Sequence, residues 1–185
     1  MDFAMSLEGR RALVTGASGG LGEHFAKLLA RCGAHVAIAA RRLDACERVR
    51  DDIARGGGKA VAIALDVSDS QSVATGVETA IVALGGLDIL VNNAGVTATT
   101  PLLDLDESAW DRIIDTNLKG AFLAGQAAAR AMSAGKQGGA IVNIASILGL
   151  RVAGQVAPYA AGKAGLVQLT KAMALEWARH DIRVN

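Results

Sequence analysis

Six short runs of β-branched and aliphatic residues recur along the chain, at 11–15 (RALVT), 35–40 (HVAIAA), 60–65 (AVAIAL), 88–92 (DILVN), 140–145 (AIVNIA) and 182–185 (IRVN). Each is nearly continuous in apolar character, the pattern of a strand covered on both faces. Helical stripes separate them. Leu21, Phe25, Leu28 and Leu29 repeat at helical spacing and stop at Gly33, and Leu43, Cys46, Val49 and Ile53 do so over 43–55 before Gly56-Gly57-Gly58. Val73, Val77, Ile81 and Leu84 follow a Ser68–Gln71 capping box and end at Gly85-Gly86. All these stripes read as core-facing. Two longer helices, over about 107–134 and 158–179, precede the fifth and sixth runs, and residues 97–106 read as the longest loop.

Strict strand-helix-strand alternation specifies a parallel sheet with right-handed crossovers. The expected fold is a doubly wound α/β Rossmann fold of three α/β/α layers, with strand order 3-2-1-4-5-6. At 185 residues there is room for one well-filled core, so residues 1–185 read as a single domain. A chain that is 51% hydrophobic yet 3% aromatic builds its interior from Ala, Val, Leu and Ile, which suits a buried parallel sheet. With 19 basic and 18 acidic residues, it gives no electrostatic basis for a nucleic-acid or anionic-membrane partner. The N-terminal Met-Asp-Phe-Ala-Met-Ser-Leu-Glu lacks the basic start and apolar stretch of an export signal, and no uncharged apolar run suits a transmembrane helix. Cys32 and Cys46 are too few for a disulfide framework, and His24, His35 and His180 show no metal-ligand spacing. A metal-free cytoplasmic protein is expected.

Onto this scaffold fall residues with chemistry. Thr15-Gly16-Ala17-Ser18-Gly19-Gly20-Leu21-Gly22 directly follows the first strand and opens a helix, where backbone N–H groups and the positive helix end can hold a pyrophosphate. Nucleotide-binding units of this kind usually carry an acidic residue at the end of the second strand; here that strand ends Ala39-Ala40-Arg41-Arg42. Guanidinium groups pair with a 2′-phosphate that a carboxylate would repel, which favours NADP over NAD, although a solvated helix start is the plainer reading of the same pair. Asp66 could accept from an adenine amino group or serve as ordinary loop chemistry. Asn92-Asn93-Ala94-Gly95 could be a common turn, or a small-residue edge that leaves room for ribose and nicotinamide.

Tyr159 and Lys163 lie one helical turn apart, so phenol and ammonium project from one face. A free phenol ionises near pH 10, too high for a base at neutrality, and an adjacent ammonium would ease the loss of its proton. Asn117 sits in a helical pattern with Trp110, Ile113, Ile114, Leu118 and Phe122, where Asn is a mediocre helix former; it marks a bend whose amide and freed carbonyl could hold a water next to Lys163. A rival reading takes Gly16-Ala17-Ser18-Gly19-Gly20 as the Gly-x-Ser-x-Gly elbow of a hydrolase. Too few residues precede it to supply an oxyanion loop, and His180 has no evident acid partner.

Taken together, the glycine turn at 15–22, Asn-Asn-Ala-Gly at 92–95, Asn117, Ser146 and Tyr-x-x-x-Lys at 159–163 resemble the short-chain dehydrogenase/reductase family over essentially the whole chain. The resemblance implies hydride transfer between NADP(H) and a small-molecule carbonyl or secondary alcohol. It implies a tetrad in which Ser146 bonds the substrate oxygen, Tyr159 transfers the proton, Lys163 assists the phenol and holds the nicotinamide ribose, and Asn117 anchors a relay water. Cofactor contacts are implied for Gly16, Ser18, Leu21, Arg41, Asp66, Val67 and Asn93, beside Gly20 and Gly22 of the glycine turn and Tyr159 and Lys163. A homodimer or homotetramer through the two long helices is implied as well. The family's pattern continues past Arg183-Val184-Asn185 into a Pro-Gly turn, a substrate-covering segment and a final strand, so the expectation is a fold lacking its usual C-terminal strand, or a fragment. The alternative function is a truncated dinucleotide-binding or self-associating module without catalysis.

Overall fold

A computed structural model describes residues 6–185; Met1 to Met5, part of the stretch read for an export signal, lie outside the described residues. The strands are β1 (Arg11–Thr15), β2 (His35–Ala40), β3 (Lys59–Ala64), β4 (Ile89–Asn92), β5 (Gly139–Asn143) and β6 (Ile182–Val184). The helices are α1 (Gly20–Arg31), α2 (Leu43–Arg55), α3 (Ser70–Leu84), α4 (Glu107–Ile114), α5 (Gly120–Ala134) and α6 (Ala157–Trp177). All strands run parallel in the order β3-β2-β1-β4-β5-β6. Winding therefore reverses between β1 and β4, and a crevice opens there at the carboxyl ends of the strands.

Two cores lie on the two faces of the sheet. Leu13, Leu90 and Ile141 meet Val73 and Val77 of α3, Ala124 and Ala128 of α5, and Met173 of α6. Val14, Val36 and Ile38 meet Ala26 and Ala30 of α1 and Cys46, Val49 and Ile53 of α2. Among the described residues the second layer holds only α1 and α2; Val142 of β5 is 39% exposed, and the strands are not covered evenly on both faces.

The α1 stripe differs from expectation, since Leu21 is 62% exposed and Leu28 is exposed too, while Gly22, Ala26 and Ala30 form the buried face. A Cβ at Gly22 would strike the Gly16 carbonyl oxygen and come within 2.9 Å of Ala17 Cα, so this helix approaches the strand end too closely for a leucine to lie between. Leu43 of α2 is likewise exposed, whereas the rest of its stripe and that of α3 pack inward. The cap of α3 is Asp69, whose carboxylate accepts from the amides of Gln71 (2.8 Å) and Ser72 (3.3 Å), and not a Ser68–Gln71 box. Ser68 is committed elsewhere, donating its hydroxyl (2.7 Å) and amide (3.0 Å) to Asp66. At the other end Gly85 adopts φ +75, the left-handed stop that glycine tolerates.

Candidate active site

The crevice is a cleft of about 650 Å³ above the ends of β1, β2, β3 and β4. Its floor is the first turn. Gly16 has φ +64, and a Cβ there would stand 2.7 Å from Ala94 Cα, so glycine is required both by the backbone and by the neighbouring loop. Asn93 clamps the two loops together: its side-chain amide donates to the carbonyls of Thr15 and Gly16, both at 3.1 Å. The buried Thr15 hydroxyl accepts in return from the amides of Asn93 (3.1 Å) and Ala94 (3.2 Å). Gly20 (φ +57) opens α1, which no side chain caps, leaving its first N–H groups for an anion.

Of the residues expected to bind a cofactor, Gly16, Ser18, Leu21, Arg41, Asp66, Val67 and Asn93 line this cleft. Gly20 and Gly22 shape the turn without lining it. Arg42 of the Arg41-Arg42 pair and Ala94 of the Asn-Asn-Ala-Gly turn line it too, as do Val96 and Thr116, which no motif marked. Arg41 and Arg42 are both exposed, and neither forms an ion pair among the described residues, in contrast to Arg48, Arg50 and Arg55 of α2. Burial works against ionisation of Asp66, but the Ser68 hydroxyl and amide and the nearby Arg41 outweigh it and hold the carboxyl below its ordinary range. Both Ser68 bonds fall on Oδ1.

The tetrad residues gather beside this cleft. Between α4 and α5 the helix widens into a π turn over Asp115–Lys119, closed by the Gly120 amide on the Asp115 carbonyl. Asn117 within it is fully buried, its side chain accepting from the Val96 amide (2.7 Å) and donating to the Val96 carbonyl (2.8 Å). Its side-chain amide is thus engaged with the loop after β4 through Val96. Helix α6 passes Asn117 at Gly162, where a Cβ would stand 3.5 Å from Asn117 Cβ. One residue on, Lys163 is 4% exposed, and its Nζ donates to the Ile144 carbonyl at 2.6 Å. Burial lowers the ammonium's pKa from its usual value. The same Nζ lies 5.7 Å from the centroid of the half-buried Tyr159 ring, within cation–π reach. A Cβ on Gly95 would come within 3.3 Å of Asn117 Oδ1 and 3.7 Å of Lys163 Nζ, so the loop after β4 brings these elements together. Ser146 stands just beyond β5, and its Oγ accepts from the Leu148 amide (3.1 Å), keeping the hydroxyl proton free to donate.

A polar chain beneath the site links its two sides. Asn92 donates to the Ala121 carbonyl (3.1 Å) and to Asn143 Oδ1 (2.9 Å), and Asn143 donates to Thr170 Oγ1 (2.8 Å) on α6. The polar Asn143 inside an otherwise apolar run was the available signal for this chain; Thr170 offered none. The histidine of the hydrolase reading is engaged elsewhere, since the His180 ring bonds Ser133 at 3.1 Å. Among the described residues no three His, Cys, Asp or Glu side chains converge as for a metal, and no helix is long and apolar enough to cross a membrane.

The family model described as short chain dehydrogenase matches residues 10–185. The chain is 40% identical over 180 residues to gluconate 5-dehydrogenase of Gluconobacter oxydans (strain 621H), covering 97% of this chain and 70% of that one. It is 41% identical over 181 residues to sorbitol dehydrogenase of Cereibacter sphaeroides, covering 98% and 70%. Among solved structures, a putative short-chain alcohol dehydrogenase from Sinorhizobium meliloti 1021 superposes with a TM-score of 0.95 at 49% identity, covering 98% of this chain and 72% of that one. A reversed parallel sheet, a glycine-lined cleft at its switch point and a Tyr-Lys pair beside it thus coincide with close sequence kinship, and the chain belongs to the short-chain dehydrogenase family, as an NAD(P)-dependent hydride-transfer oxidoreductase.

Proposed function

We propose that the protein interconverts a secondary alcohol and its ketone with NADP(H) as the preferred coenzyme. The observation that carries the preference is the pair of unpaired guanidinium groups, Arg41 and Arg42, on the cleft wall where an NAD-binding unit would carry a carboxylate. The cleft fits a dinucleotide: Gly16 leaves a cradle no side chain could share, the uncapped start of α1 leaves N–H groups for an anion, and Asp66 remains a carboxylate able to accept from adenine. When bound, the nicotinamide supplies or accepts the hydride.

The chain's own residues handle the proton and the orientation. Ser146 donates its hydroxyl to the substrate oxygen, and Tyr159 gives or takes the proton on that oxygen. The Lys163 ammonium lies within cation–π reach of the Tyr159 ring, beside the group that handles the proton. Asn117 holds the β4 loop through Val96 and acts on the relay through its π turn, with a main-chain carbonyl as the water's anchor. The chain works as a single domain that assembles as a homodimer or homotetramer in the cytoplasm. Its exposed Phe122 and Leu175, on the two helices nearest β5 and β6, support that assembly, and free Cys32 and Cys46 suit a reducing compartment.

Fluorescence titration with NADPH and NADH tests the reading. Binding of NADPH at least tenfold tighter than NADH is expected, with turnover of simple ketones that Tyr159→Phe abolishes while cofactor binding persists. Binding without turnover of any ketone would instead favour a non-catalytic module.

A further inference from the structure

The two segments that flank the reactive hydroxyls are apolar, and neither motif nor kinship assigns them a ligand. One segment runs from Ser146 to Tyr159, the two residues whose hydroxyl groups act on the substrate oxygen in the proposed reaction. It carries Ile147, Leu150 and Val152 at 66%, 72% and 92% exposure. Its single charged residue is Arg151. Gly149 fixes this segment against α6, since a Cβ there would stand 2.9 Å from the Lys163 carbonyl oxygen. The facing segment, Val96 to Leu103, contains no charged residue; its threonines add hydroxyl groups but no charge. The Thr100 amide donates to the Gln155 carbonyl at 2.9 Å, joining the two segments. Scattered exposed aliphatics are ordinary, but three within six residues directly after Ser146 give this segment an apolar surface that gains by being covered.

Resting on the redox reading above, we propose that this site takes an uncharged secondary alcohol with aliphatic substituents, or its ketone, and not a polyol or sugar acid. A polyol or sugar acid would bring hydroxyl groups that must each find a partner when desolvated, and a sugar acid adds a carboxylate whose hydration these segments could replace only through Arg151. The alkyl groups of an aliphatic substrate would instead cover Ile147, Leu150 and Val152. Oxidation converts the alcohol to the ketone while NADP⁺ becomes NADPH and one proton is released.

The test measures kcat/KM with NADP⁺ for 2-butanol, 2-hexanol and 2-octanol, and for D-sorbitol and D-gluconate. A rise of about threefold per added methylene is expected along the alcohol series, with the polyol and the sugar acid at least tenfold below 2-hexanol. The double variant Leu150→Asp/Val152→Asp, at two exposed positions, should flatten the series and leave NADPH binding unchanged. In parallel, 2-octanone should perturb the fluorescence of the bound NADPH. A flat series, faster turnover of sorbitol or gluconate, or a silent 2-octanone titration on a protein that binds NADPH would overturn the substrate class and leave the redox reading standing. Failure to bind either dinucleotide would overturn both.

Discussion

At Asn93 one amide group holds two loops that are far apart in sequence, and this contact defines the floor of the cleft. Asn93→Ala removes both bonds while leaving the turn's glycines in place. Each such bond contributes on the order of 1 kcal/mol, so NADPH affinity should fall roughly tenfold, measured by fluorescence titration, with little loss of fold by circular dichroism. Arg41 acts through charge: Arg41→Glu should weaken NADPH by at least tenfold and bring NADH close to it, since a carboxylate repels the 2′-phosphate and suits the free ribose. Equal loss for both coenzymes would count against a phosphate contact. Much of this scale was legible in the sequence, because the cleft residues sit at strand ends that the alternation already located. The division of labour between Asn92, buried beneath the site, and Asn93, clamping the glycine turn, was not legible, because adjacent residues on an extended chain face opposite sides and only the packed neighbours show which is which.

Among the elements, α6 and the π turn are set against each other with almost no slack. Gly162→Ala places its methyl at an ordinary contact distance from Asn117, whereas Gly162→Val adds methyl groups for which there is no room. The alanine variant should therefore keep near-normal turnover, and the valine variant should lose at least tenfold in kcat while still binding NADPH. Equal behaviour of the two would show that this approach does not position the reactive groups. A second element-scale outcome concerns α3: Asp69→Ala removes the carboxylate that caps it and should lower stability by about 1 kcal/mol. Ser68→Ala should reach the cleft instead, by freeing Asp66. Strand and helix existence followed from periodicity, but the buried face of α1 did not, because the hydrophobic stripe marked leucines while the close helix-strand approach selected Gly22, Ala26 and Ala30.

For the molecule as a whole, the opposite end of the sheet is stapled by Arg11 on β1 and Asp88 just before β4. The guanidinium donates to both Asp88 carboxylate oxygens, at 2.7 and 2.8 Å, and to the Gly85 carbonyl at 2.6 Å. These bonds, led by the Arg11 side chain, hold the Asp88 carboxyl below its ordinary pKa. A carboxyl depressed on folding contributes stability that is full above the unfolded-state value near pH 4 and is lost as pH falls through the folded value. Asp88→Asn should accordingly destabilise the protein by about 2–3 kcal/mol near neutrality, and the gap from the parent should shrink as acid is added, read from denaturant midpoints. A gap independent of pH would show that packing, not charge, carries the effect.

The amino-acid sequence by itself determined the six strands and the helices between them, their order and parallel winding, and the residues that could reach a dinucleotide, while the π turn that divides α4 from α5 within the expected 107–134 helix came from the structure. Those follow from local periodicity and from short spacings along one strand end or one helical turn, which hold whatever lies across the gap. The tertiary structure alone decided that Leu21 and Leu28 face outward, that Asp69 caps α3, and that Asn117 spends its amide on Val96. The cap turns on the commitment of Ser68 to Asp66, while the other two outcomes depend on how closely two segments approach, which is set by the side chains that are missing at glycine and alanine and leave no periodic trace.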